Sequence, residues 1–148
     1  MIKGVIQMHQ GEGTILIPKS KRPGDSEIFM TELVLPNDTN LLGNLLGGRM
    51  LHWVDIAGAL AASRHSQKVV ATVSISSVDF KHPIRMGEMV QLHANLISVG
   101  NTSMHVKVSV TSENLKTGAS ILTNEAFLTY VALDDNQKPT QVPRLILE

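Results

Sequence analysis

One acidic side chain inside an otherwise apolar helical segment constrains this chain more than any other feature. From Met50 to Ala62 every residue is apolar or small except His52 and Asp55. The segment therefore reads as a helix buried on most of its surface, with Asp55 standing where charge is unfavourable. An unpaired carboxylate in such a place collects hydrogen-bond donors, takes up a proton, or lines a cleft that water and ligand reach. The first outcome is structural, with His52 one turn back as a donor at a spacing that faces it. The other two suit catalysis.

Just upstream, Gly43-Asn44-Leu45-Leu46-Gly47-Gly48 supplies a flexible turn, and Gly48 is placed to start the helix with bare backbone. Amides at a helix start attract anions and developing negative charge. The carboxylate follows about two turns in, about 10 Å along the axis. Exposed donors and a base on one helix suit polarisation of a carbonyl beside a proton acceptor. No Lys-Ser/Thr pair follows the glycines, so they do not form a phosphate loop of the nucleotide-hydrolase kind.

Composition narrows the field. With 148 residues and 43% hydrophobic content, one domain with a real core is expected. Thirteen basic and thirteen acidic residues cancel, so no overall field draws the chain to nucleic acid or to an anionic membrane. The absence of cysteine excludes a disulfide framework, a thiolate zinc site and a cysteine nucleophile. The first twenty residues lack the pattern of a secretion signal, and no apolar run approaches the roughly 20 residues that span a bilayer, so a cytoplasmic protein is expected. The six histidines (His9, His52, His65, His82, His93, His105) show no metal-ligand spacing, and neither a metal nor another cofactor is expected.

Along the chain, residues 1–27 mix Gly, Pro and charge and read as an arm with one short apolar patch at 14–18. A core strand is predicted over 28–35, the helix over 48–65, and strands over 69–80, 89–99, 103–113 and 120–133. Turn residues stand between the strands: His82-Pro83, Gly87, Gly100-Asn101 and Lys116-Thr117-Gly118. The fold class is α+β: an antiparallel sheet of about five strands, its last four in a meander, wrapped around one long central helix. Residues 28–134 form the domain, and 135–148 read as an extended tail. One helix cannot cover both faces of a sheet, so self-association is expected. Arg64, His65, Lys68, Lys81, His82 and Arg85 fall around two neighbouring loops and read as a local cationic patch.

The pattern Pro36-x-Asp38-x-Asn40-x-x-Gly43-Asn44-x-x-Gly47-Gly48, then Met50 and Trp53-x-Asp55 running into Arg64-His65, resembles the hot-dog-fold acyl-CoA thioesterases of the cytosolic acyl-CoA hydrolase type. The likeness continues in Thr72-Val73, Phe80-Lys81-His82-Pro83-Ile84, Gly100-x-x-Ser103-Met104 and Ala126-Phe127-x-x-Tyr130. It implies hydrolysis of acyl-CoA to a free acid and coenzyme A by a homo-oligomer, a dimer assembled into a trimer of dimers, with the active site between subunits. It further implies that Asp55 is the catalytic base or nucleophile, that the Gly48 amide polarises the carbonyl with Gly47 beside it, and that Asn44 orients water or substrate at the partner's Asp55. Arg64, Thr72, Lys81 and Ser103 are the implied substrate contacts. Two positions depart from the pattern: Ile75-Ser76 stands where many relatives carry an aspartate, and Leu46 where some have His or Phe. A non-catalytic acyl-CoA sensor of the same fold is the alternative. A dehydratase of this fold wants a catalytic His in a setting that His52 does not match.

Overall fold

The computed structural model describes residues 16–76 and 82–147. In chain order the regular elements are β1 (Ser20–Lys21), β2 (Ile28–Leu33), α1 (Gly47–Ser66), β3 (Val69–Ser76), β4 (Met89–Val99), β5 (Ser103–Glu113), β6 (Ser120–Leu133) and β7 (Arg144–Leu145). Strands β2 to β6 form one antiparallel sheet that curls around α1. The apolar patch at 14–18 lies partly outside the described residues, as does the end of the strand expected over 69–80.

Period-two alternation sets which side of each strand meets the helix. In β5, Met104, Val106, Val108 and Val110 are buried and the residues between them are half exposed. Register carries the inner row across the sheet, through Ala94, Val108 and Ala126, and through Leu96, Val106 and Leu128. Against these rows α1 turns Met50, Trp53, Val54, Ala57, Gly58, Ala61 and Ala62, which recur at helical spacing. The small residues bring helix and sheet close. Gly58 costs about 1 kcal/mol of helix stability against Ala, and its place is taken by Tyr130: a Cβ there would overlap the phenol hydroxyl and come within 3.0 Å of Cζ.

Strand order corrects the expected meander. The sheet runs β2-β4-β5-β6-β3, so β3 pairs with β6 on one edge while β4 pairs with β2 at the other. Turn residues between 76 and 89 mark a connection without saying which edges it joins. Its described part, 82–88, lies against the loop before α1, tied by Ile84 accepting from the Leu45 amide and by Met86 and Gly87 donating to Gly43 and Val34.

The stretch after β6 is likewise no loose appendage. Val142 and Pro143 are buried, the Arg144 amide donates to Lys19, and β7 pairs parallel with β1. Buried His65 at the end of α1 bonds the Pro143 carbonyl through Nε2 at 2.8 Å. The Lys21 ammonium bonds the Arg64 carbonyl and Gln67 Oε1, satisfying the last turn of a helix that Gln67 ends in left-handed backbone, φ 55°.

Candidate active site

Asp55 is half buried on α1, and two hydroxyls from the sheet converge on one of its oxygens. Thr72 Oγ1 donates to Oδ1 at 2.9 Å and the Tyr130 hydroxyl lies 3.0 Å from the same atom. These donors are not neighbours by accident. Thr72 and Tyr130 are directly paired across β3 and β6, and the register slips between Thr72 and Ser74, a bulge of the kind that re-aims side chains beside active sites. Oδ2 accepts no hydrogen bond from a described residue. His52 is exposed and does not bond Asp55, so the structural partnership expected one turn back is replaced by bonds from the sheet.

Burial pushes the Tyr130 phenol well above its ordinary range, and the Asp55 charge and the hydrogen bond push it further. Tyr130 is therefore a hydrogen-bond donor at any physiological pH. Sequence reading assigned it no role, because the contact joins residues far apart in the chain; the inward alternation of β6 and a glycine in the middle of α1 were the available signals.

At its other end α1 opens at Gly47, after Leu46, which caps the helix with extended backbone and no side-chain bond. The first intrahelical bond is Met50 to the Leu46 carbonyl, leaving the Gly47, Gly48 and Arg49 amides without an acceptor one turn back. A Cβ on Gly48 would meet nothing within 4 Å, so the chain's own packing does not demand a glycine there. Asp38 holds the approach: it accepts from the Leu35 amide, pairs with Arg49, and its carbonyl takes the Leu46 amide.

Two asparagines shape the preceding turn. Asn40 Oδ1 accepts from the Leu42 and Asn44 amides at 2.9 and 3.1 Å, and the Asn40 side chain is otherwise exposed. Asn44 faces the other way, its Oδ1 buried without a partner among the described residues and its backbone bridged to Arg85.

The remaining expected site residues are scattered. Arg64 is exposed near the end of α1 and donates to the Glu27 carbonyl. Ser103 opens β5, half exposed on the outer side of the sheet, its carbonyl taking the Gly100 amide. Lys81 lies outside the described residues. The cationic patch is corrected: His65 is fully buried, and Arg85 and Lys68 stand at opposite ends of a helix about 30 Å long. A cleft of about 840 Å3 begins one turn beyond Asp55, where Ala59, Ser63, Gln67 and Lys68 face Val69, Val70 and Asp134. Among the described residues no cluster of acidic or histidine side chains forms a metal site, and no helix is long and apolar enough to cross a membrane.

Comparison with known proteins agrees with this architecture. The family model of the Thioesterase superfamily matches residues 42–119. The uncharacterized acyl-CoA thioester hydrolase YkhA of Bacillus subtilis is 39% identical over 131 residues, covering 88% of this chain and 76% of that protein. An apo-hexameric acyl-CoA thioesterase superposes with a TM-score of 0.85 at 43% identity, over 88% of this chain and 83% of that one. The acyl-CoA hydrolase of Staphylococcus aureus, solved with butyryl coenzyme A, coenzyme A and coenzyme A disulfide, gives 0.83 at 33% identity, over 87% and 79%. That enzyme has also been solved with an aspartate, an asparagine or a threonine replaced by alanine; the asparagine stands 15 positions before the aspartate and the threonine 17 after it. The chain thus belongs to the thioesterase superfamily and has the hot-dog fold of its acyl-CoA hydrolases.

Proposed function

We propose that this protein hydrolyses acyl-CoA thioesters to a free acid and coenzyme A, with Asp55 as the reacting carboxylate. The observation that carries the reading is the grip on Asp55: two donors hold Oδ1 while Oδ2 is left open. As a base, Asp55 takes a proton from water as the water oxygen attacks the thioester carbon. As a nucleophile it attacks the carbon itself, and water then cleaves the mixed anhydride. Either way negative charge collects on the carbonyl oxygen, where the Gly48 amide, with Gly47 beside it, stabilises it. The C–S bond then breaks and coenzyme A leaves as a thiolate, which needs no strong acid because thiols ionise near pH 8.5.

Geometry favours a centre shared between copies. A carboxylate attacking directly and an amide binding the same carbonyl oxygen lie within about 6 Å of each other. Gly48 and Asp55 are about 10 Å apart along one helix, so direct attack draws its oxyanion donor and its Asp55 from different subunits. The exposed edge strand β3, with Val69 and Val73 73% and 60% exposed, supports homo-oligomerisation, as does the hexameric state of the similar thioesterase. For the residue that orients water or substrate, spacing favours Asn40 over Asn44: Asn40, Asp55 and Thr72 stand at the intervals of the three residues replaced in the Staphylococcus aureus enzyme. The cleft beyond Asp55 is the candidate path for substrate.

The test is thiol release from a panel of acyl-CoA chain lengths by the wild-type protein and by D55A. Turnover in the first and its loss in a folded D55A is the expected result. Tight binding with no thiol released from any member would identify a sensor instead, and a D55A that keeps most of its rate would remove Asp55 from the chemistry.

A further inference from the structure

We infer that Tyr130 is a positioning residue for Asp55, and that position 58 is glycine because the phenol occupies the space a Cβ would fill. The inference rests on the reading of Asp55 given above and adds a residue to it.

Tyr130 is fully buried on the inner row of β6, its ring held by the helix on one side and the sheet on the other. Its hydroxyl lies 2.9 Å from the Asp55 carbonyl oxygen and 3.0 Å from Oδ1, so its one proton is offered to a single residue at two points. The carbonyl already serves the helix ladder. The carboxylate is charged and gains more from the donor. Thr72 reaches the same oxygen from an exposed strand, with a hydroxyl that rotates; the phenol is the donor whose place is set by packing. The contact needs a gap in the helix wall, and Gly58 is that gap: a methyl there would overlap the hydroxyl and press on Cζ and Cε2. The two residues form one device. The glycine admits the phenol, and the phenol fixes which way Oδ2 points.

Y130F keeps the ring and removes the hydroxyl. Its kcat on the best acyl-CoA substrate is expected to fall about 10-fold with KM within about twofold, since one hydrogen bond to a charged group is lost while substrate contacts remain. G58A is the second variant, expected to lower kcat in the same way by displacing the hydroxyl, again with KM little changed. The two changes combined should cost less than the sum of their separate effects. A Y130F that melts earlier while holding kcat would show packing alone and overturn the inference. Should Y130F not fold, G58A decides by the same split of kcat against KM. D55A, run alongside, separates the two readings. An active D55A removes the role of Asp55 and the inference with it, whereas an inactive D55A beside a Y130F of unchanged kcat removes only the inference.

Discussion

A carboxylate in an apolar helix is a local signal, and Asp55 was legible from its immediate neighbours alone. Its donors were not. Thr72 and Tyr130 reach it from strands 17 and 75 positions away, and only sheet register shows that they arrive side by side. The loop asparagines show the same limit: Asn40 and Asn44 share a turn, and composition cannot tell which amide faces outward. The fold turns Asn40 to solvent and buries Asn44 Oδ1. N40A is therefore expected to lower kcat/KM for thiol release by about 10- to 100-fold, on the scale of one or two charge-assisted bonds, and by more than N44A does. The opposite order would return the orienting role to Asn44.

Most of the strand spans were readable because the pattern stops at turn residues, Pro36 after β2, Gly100 after β4 and Asn114 after β5. The path between strands was not, because nothing in a turn sequence states which sheet edge comes next. Nor did proline-rich composition reveal that the segment after β6 docks on the end of α1, where His65 meets the Pro143 carbonyl. Burial lowers the His65 pKa below its usual value; the Pro143 bond opposes this, and Lys21 and Arg144 add to the lowering. The unfolded chain thus binds a proton that the folded one resists, so this contribution to stability is present above about pH 6.5 and is lost as pH falls through the lower folded value. Thermal melts should show a lower Tm at pH 5.5 than at pH 7.5, with the gap narrower in H65Q, which lacks the titrating ring. For a chain of this size each kcal/mol moves Tm by about 2–4 °C. An unchanged gap in H65Q would assign the acid sensitivity to other groups.

At the scale of the molecule, among the described residues the helix inside its curled five-stranded sheet leaves β3 as an uncovered edge carrying apolar side chains, an aggregation hazard unless another chain covers it. Charges at V69K and V73K together are expected to shift the mass seen in sedimentation from the oligomer toward the single chain, with hydrolysis falling in step. A double variant with wild-type mass would place the contact elsewhere. Thr72 belongs to this same strand, so the tether on Asp55 and the rim proposed for contact between copies are one piece of backbone. Dilution and chemical injury would then look alike in an assay, and the cell's stock of the protein would itself act as a throttle on each centre.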